Sequence, residues 1–275
     1  MSARTILITG CSSGIGLASA RALQARGWRV LATARNDADL KRLADEESLE
    51  ALPLELADPS SVAALADETL RRTDGKLYAL FNNAGMGQVG AVEDLSADLL
   101  RRQLEVNVVG AHELTRRLVP AMRANGQGRI VQCSSVLGLV AGPYRGAYCA
   151  SKFAIEALSD ALRLELRGTG IAVSIIEPGP IRSRFLEVAL ANFRNTVDID
   201  ASPHRDSYIA RLAAMEAGGK TTFKLEPEAV AAKLVHAVES EHPKARYFVT
   251  TPTYLAAFAK RVLPTALLDR LAGAM

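Results

Sequence analysis

The sequence is poor in cysteine, has no concentration of positive charge and contains no long uncharged apolar run. Each shortage excludes something. Its 275 residues include three cysteines, an odd number without paired spacing. That pattern gives neither a disulfide framework nor a zinc site, and no metal is expected. The formal net charge is +3, with lysine and arginine dispersed along the chain. The clustered basic footprint of a nucleic-acid-binding protein is missing. No apolar stretch is long enough to cross a bilayer. The opening "MSARTILITG" runs directly into a strand-like segment and lacks the pattern of a secretory signal, so a cytoplasmic protein is expected. Internal repeats and low-complexity linkers are also lacking. Hydrophobic residues at 49% and charged residues at 23% are ordinary for a soluble globular chain.

What is present is an alternation. Apolar runs of strand length fall at residues 5–9, 29–34, 52–56, 77–81, 129–133 and 172–176, with a weaker one at 246–249. Helical patterns lie between them, at 16–26, 38–45, 60–72, 97–123, 147–167 and 227–240. Nearly continuous apolar strands belong in a parallel sheet covered on both faces. The alternation therefore predicts an α/β fold, a single domain over residues 1–275 with a doubly wound parallel sheet. The rhythm breaks over residues 183–225, where no strand is evident. Short helices and loop are expected there, outside the carboxyl ends of the strands, where ligands bind in such sheets.

"TGCSSGIG", residues 9–16, follows the first strand and opens the first helix. Gly10 permits a tight turn. Gly14 and Gly16 let backbone approach a pyrophosphate and let helix pack on strand. The helix start then offers unpaired amides to phosphate, and Ser12, Ser13 and Ile15 complete the loop. The spacing differs from the standard dinucleotide fingerprint, so the strand–loop–helix context carries the reading. At the end of the second strand Ala34 stands where an acid would bind a ribose 2′-hydroxyl, and Arg35 follows. A guanidinium suits a 2′-phosphate, which favours NADP(H); the plainer reading is a solvated loop arginine. Asp58 in "DPSSV" reads as a helix N-cap that also reaches the adenine edge.

"AYCASK" sets Tyr148 and Lys152 four residues apart, on one face of a helix. Hydride transfer to a carbonyl makes an alkoxide that must be protonated. Free tyrosine, with a pKa of ~10, suits that task poorly. An ammonium ~4 Å away is worth ~4 kcal/mol at an effective dielectric of ~20. It could lower the phenol by about three units before burial opposes it. Ser135 in "QCSSVLG" is placed to hydrogen-bond a substrate oxygen. Asn107 in "VNVVG", taken alone, reads as a helix kink or structural hydrogen bonder. The pair Tyr148 and Lys152 alone is weak evidence. Together with the glycine loop and the placed serine it points to a dinucleotide-dependent reductase.

The set "TGCSSGIG", "NNAG", "VNVVG", "SSVLG", "YCASK" and "IEPGPIRSRF" resembles the short-chain dehydrogenase/reductase family over residues 5–184. The resemblance implies a Rossmann-type fold and a catalytic set of Asn107, Ser135, Tyr148 and Lys152. In that set Asn107 holds a water in a proton relay through Lys152. It implies that Asp58, Asn83, Ala84 and Gly85 meet adenosine or run beside the cofactor, and that Tyr148 and Lys152 also touch it. Pro178, Gly179, Ile181 and Ser183 would cover the nicotinamide, with Ser183 standing where the family often has threonine. Similarity is greatest to the branch of 17β-hydroxysteroid dehydrogenases, retinol dehydrogenases and bacterial aldehyde reductases, which implies NADP(H), reduction, and a homodimer or homotetramer. A hydroxysteroid or retinol dehydrogenase is the alternative enzyme. A non-catalytic nicotinamide sensor is the alternative of another class.

Beyond Ser183 the resemblance fades. Phe185, Leu186, Val188, Leu190, Phe193, Tyr208, Met215 and Phe223 supply apolar bulk, with Leu137, Val140 and Tyr144 as an opposite wall. The expected substrate is an apolar aldehyde or ketone without a carboxylate or phosphate. For each of these side chains, packing of the segment onto the domain is the plainer reading. Residues 252–271 carry an apolar stripe at helical spacing, interrupted by Pro264. It reads as a helix docked on its own domain, a lid, or a surface for a partner or membrane, with Lys260, Arg261 and Arg270 suited to the last. His204 and His236 read as surface residues. Cys11, Cys133 and Cys149 flank the proposed site, which predicts modest sensitivity to thiol reagents, blocked by NADP.

Overall fold

The computed structural model describes residues 4–216 and 223–273. Seven strands, all parallel, form one sheet: β1 (Thr5–Ile8), β2 (Arg29–Ala34), β3 (Glu50–Pro53), β4 (Ala79–Asn82), β5 (Gly128–Cys133), β6 (Ile171–Glu177) and β7 (Arg246–Phe248). Their order is β3-β2-β1-β4-β5-β6-β7, so the winding reverses between β1 and β4. That reversal opens a crevice at the carboxyl ends of the strands. The central strands read as unbroken apolar runs because both faces are covered; all four residues of β1 are buried. On one face α1 (Gly14–Gln24), α2 (Asp37–Asp45) and α9 (Glu228–Glu239) pack through Leu23, Leu43 and Leu234. On the other, α3 (Pro59–Arg72), α5 (Gly110–Ala124) and α6 (Gly146–Glu165) pack through Leu65, Leu114, Leu118 and Leu162.

Local chemistry sets the element ends. Asn36 caps α2 by accepting from the Asp39 amide, and Asp58 caps α3 by accepting from Ser60, with Pro59 next. The expected third strand, residues 52–56, lies earlier at Glu50–Pro53. Leu54 and Leu56 stay buried in the core beyond the strand, which is why the apolar alternation overruns it. Pro53 has no amide to donate and fits this outermost position. The single helix expected over 97–123 is α4 (Ala97–Leu104) and α5 joined by a π-turn at Glu105–Val109.

Residues 185–196 and 205–216 form α7 (Phe185–Thr196) and α8 (Arg205–Glu216) outside the sheet, as short helices expected from the broken rhythm. Val89, Ala91, Ala189, Phe193, Val197 and Tyr208 give this cap a core of its own. Phe193 and Tyr208 are 1% and 2% exposed, so they pack the cap rather than present a free wall. The one helix expected over 252–271 is corrected to two, α10 (Thr251–Val262) and α11 (Thr265–Gly273), broken at Pro264, which cannot supply an interior amide. Thr253 and Ala257 of α10 are buried, whereas Leu255, Phe258, Val262, Leu267 and Leu271 are exposed. No helix among the described residues is long and apolar enough to cross a membrane.

A partly buried ion cluster ties β6 and β7 to α6. Arg246 donates to Glu177 at 2.8 Å and to Asp160 at 2.6 Å, and also pairs with Glu156. Burial, and then the neighbouring Glu156 charge, pushes the Glu177 carboxyl from an ordinary 4.5 up to about 8. The folded chain therefore holds a proton that the unfolded chain releases, and stability falls as pH rises from 4.5 to about 8. Glu177→Gln removes that loss. Its Tm relative to the native chain is expected to rise steadily across this window and level off above it. A thermal-denaturation series against pH checks this, and a constant difference would refute it.

Candidate active site

The glycine loop is built by close approaches that only glycine allows. Gly10 has φ +74°, and a Cβ there would lie 2.9 Å from Ala84 Cα. A Cβ on Gly16 would lie 2.0 Å from the Gly10 carbonyl oxygen. The loop therefore hugs β1 and the turn after β4. Thr9 locks the two together: its Oγ1 accepts from the amides of Asn83 and Ala84, both at 2.9 Å. Asn83 Nδ2 returns the contact by donating to the carbonyls of Thr9 at 2.9 Å and Gly10 at 3.2 Å. Ser13 sits extended at the start of α1, and its side chain does not cap the helix. The first-turn amides of Gly14, Ile15 and Gly16 thus have no side-chain acceptor, and their dipole end faces the crevice. A cradle that any Cβ would fill, followed by uncapped amides, fits the pyrophosphate of a dinucleotide.

Ser12 presents its carbonyl to Arg42 Nη2 at 2.5 Å. Arg42 braces the loop from α2, a role no motif indicated. Arg35 lies exposed just past β2, and Asp58 is exposed at the head of α3. Ser183 meets the loop from the other side, with its Cβ 3.1 Å from where Gly14 would carry one. Pro178 accepts from the Val136 amide at 2.8 Å, and Gly179 presses on Thr250. Ile181 pairs with Leu225 in an isolated bridge. Residues 178–183 thereby form a fixed wall opposite the glycine loop.

The catalytic candidates meet at the end of β5. Ser135 follows β5 and is buried, its Oγ accepting from the Leu137 amide at 3.1 Å. Tyr148 and Lys152 occupy the first turns of α6. Lys152 is 5% exposed, lies 5.6 Å from the Tyr148 ring centroid, and donates to the Cys133 carbonyl at 2.7 Å. Asn107 lies within the π-turn, a distortion found mostly at functional sites. Its Oδ1 accepts from the Met86 amide at 2.8 Å. Its Nδ2 donates to the Met86 carbonyl at 2.9 Å and to Ser151 Oγ at 3.0 Å. Ser151 in turn donates to the Tyr148 carbonyl at 2.7 Å. The Asn107 side chain is thus a structural brace between the loop beyond Asn83–Gly85 and α6. Leu137 is half-buried nearby, and Phe185 packs its ring 5.5 Å from that of Tyr148. Tyr144 points into the cap, 5.4 Å from Tyr208. Met215 lies in α8 with its side chain outside the described residues.

The expected depression of the Tyr148 phenol by Lys152 is corrected. Burial, with the Cys133 thiol beside it, pushes the phenol above its ordinary value. The hydrogen bond from Ser135 and the Arg145 guanidinium draw it back only in part. Burial also lowers Lys152, whose charge is directed at the Cys133 carbonyl. Both shifts favour the uncharged forms of the two groups. Thr9, Met86, Ser151 and Arg42 escaped the sequence reading, since their partners lie far along the chain and no spacing marks them. His204 is partly buried and bonds Glu93 at 2.6 Å instead of standing free in solvent. Another cleft, by Arg129, Arg167 and Glu241, opens at the opposite end of the strands and contains none of these groups.

The model of the short chain dehydrogenase family matches residues 4–192. The chain is 45% identical to the oxidoreductase YbbO of Escherichia coli (strain K12) over 98% of its own length and 93% of that protein. It is 32% identical to the NADPH-dependent 3-dehydrocapnine reductase of Ornithobacterium rhinotracheale, over 98% and 95% of the two chains. Among solved structures it resembles a short-chain dehydrogenase from Streptomyces avermitilis, with TM-score 0.81 and 30% identity over 98% of this chain and 96% of the other.

The expected thiol sensitivity is also corrected. Cys11, Cys133 and Cys149 are all buried. Burial pushes Cys11 up to about 12 and raises the other two, so little thiolate forms near neutral pH. A chromogenic disulfide reagent is expected to leave the native protein unmodified and to titrate three thiols after denaturation. Rapid reaction of the native chain would contradict this.

Proposed function

The chain belongs to the short-chain dehydrogenase family and is therefore an NAD(P)-dependent oxidoreductase, and on that premise we propose that it is an NADP(H)-dependent carbonyl reductase for apolar aldehydes or ketones. The observation that carries this reading is the convergence of buried Ser135 and Lys152 with half-buried Tyr148 at the carboxyl edge of the sheet, beside a glycine cradle. A bound nicotinamide dinucleotide supplies the hydride. The rest is done by side chains. Tyr148, neutral and in hydrogen-bonding reach of Ser135, gives its proton to the oxygen of the reduced carbonyl. Ser135 holds that oxygen and steadies its developing charge. Lys152 fixes the α6 turn against β5, and its ammonium is placed to stabilise the tyrosinate left behind. In the oxidative direction the same phenol must first lose its proton.

NADP(H) is favoured by what stands after β2. Ala34 offers no carboxylate for a ribose hydroxyl, and Arg35 is exposed without an ion pair among the described residues. The NADPH named for the Ornithobacterium relative supports the same choice. An apolar substrate is supported by Phe185 against Tyr148 and by half-buried Leu137 and Leu190.

An assay following NADPH absorbance against a panel of aliphatic and aromatic aldehydes tests the reading; no turnover of any of them would defeat it. Tyr148→Phe is expected to lower kcat by about 10²- to 10⁴-fold while cofactor affinity stays within about twofold. Because burial raises the phenol, alcohol oxidation is expected to quicken steadily as pH rises, with reduction nearly flat near neutrality. Arg35→Ala is expected to weaken NADPH by about tenfold and leave NADH little changed. Equal losses would remove Arg35 from the 2′-phosphate.

A further inference from the structure

Among the described residues, the lining of the cleft beneath the cap includes two guanidiniums and no carboxylate. Its lining includes Tyr144, Arg145, Leu190, Phe193, Tyr208 and Arg211. Arg145 immediately precedes α6, one turn before Tyr148. It is only partly exposed and makes no side-chain hydrogen bond or ion pair among the described residues. Arg211 on α8 lies 4.7 Å from the centre of the Tyr144 ring. Stacking uses the face of a guanidinium and leaves its N–H donors in the plane. Two acids beside the cap, Glu93 and Asp94, are engaged elsewhere. Glu93 holds His204 at 2.6 Å, and Asp94 accepts from Ser202 at 2.6 Å and Tyr208 at 2.5 Å. Burial, and after it the neighbouring Arg211 charge, lowers Arg145, so a counter-charge in the cleft would be favourable.

The backbone is distorted where the cations meet. Tyr144 has φ +62°, a left-handed conformation rare for a bulky side chain. The Gly90 amide holds it by donating to the Tyr144 carbonyl at 3.0 Å, and Gly90 also bridges Arg145. Such outliers persist where surrounding structure enforces them and cluster at ligand clamps. Here the distortion turns Tyr144 under Arg211 and sets Arg145 in the cleft wall. Phe185 of α7 packs on Tyr148, while Leu190 and Phe193 of the same helix line the cleft. From Phe185 to Leu190 and Phe193, α7 rises about 8 to 12 Å at 1.5 Å per residue, while Arg145, one turn before Tyr148, acts on both the phenol and Arg211.

We propose that Arg145 and Arg211 form an anion subsite, and that the substrate reduced at Tyr148 is a carbonyl compound with an apolar stem ending in a carboxylate or similar acidic oxygen group. The proposal rests on the carbonyl-reducing reading for its chemistry, and it replaces the expectation of a substrate without an acidic group. The stem supplies the apolar contacts, and the guanidiniums gain the counter-charge they lack.

The test pairs 6-oxohexanoate and 9-oxononanoate with their methyl esters, using NADPH. For at least one length the acid is expected to exceed its ester in kcat/KM by about tenfold, mainly through KM. Arg211→Gln and Arg145→Gln should each erase that preference, with the Arg211→Gln protein still reducing the ester. A binding readout separates this proposal from the one beneath it. Nonanoate should raise the Tm of the native protein and not that of Arg211→Gln, whether or not any aldehyde turns over. Turnover of esters and acids alike, with no change in preference in Arg211→Gln, would overturn the subsite and leave carbonyl reduction standing. Nonanoate binding without turnover of any aldehyde would overturn the reduction and retain the subsite. Neither binding nor acid preference would overturn the subsite.

Discussion

A buried lysine fixes the geometry on which this site depends. The Lys152 ammonium has lost its water and gained one strong acceptor, the Cys133 carbonyl at the end of β5. Leaving that charge without a partner would cost several kcal/mol, so the bond pins the first turns of α6 to the edge of the sheet. Ser135 lies two residues after that carbonyl, and Tyr148 one turn before that lysine. One contact thereby sets the serine hydroxyl against the phenol. The same desolvation raises the Tyr148 phenol above its ordinary value.

The second constraint is backbone proximity. Gly10 and Gly16 allow β1, α1 and the turn after β4 to approach within distances no side chain permits. Thr9 and Asn83 fasten that approach with four hydrogen bonds. Asn107 extends the brace through Met86 and Ser151 to the helix bearing Tyr148. The π-turn widens the helix where Asn107 must reach both neighbours. The glycine loop and the helix bearing Tyr148 are consequently parts of one hydrogen-bonded frame.

The cap follows other rules. Its core of Phe193, Tyr208 and Val197 is small and separate from the two main cores. It can vary without disturbing the sheet, which is how one catalytic frame serves many substrates. In this chain the cap carries Arg211, and Arg145 immediately precedes the helix bearing Tyr148.

Much was legible in the chain itself. Period and alternation determined a parallel, doubly wound sheet, because strands covered on both faces must be apolar throughout. The glycine loop, Ser135, Tyr148 and Lys152 were marked by local spacing, since each sits at a fixed offset from a strand end or helix start. Only the tertiary structure decided which group governs the Tyr148 proton, because desolvation depends on neighbours from β5, α6 and α7 that no local spacing reveals. It also decided which groups Asn107 joins, that the cysteines are buried, and that residues 252–271 form two helices. Arg145 and Arg211 stand 66 positions apart in sequence. Their meeting depends on how the cap folds over the sheet, a long-range packing outcome that a local pattern does not encode.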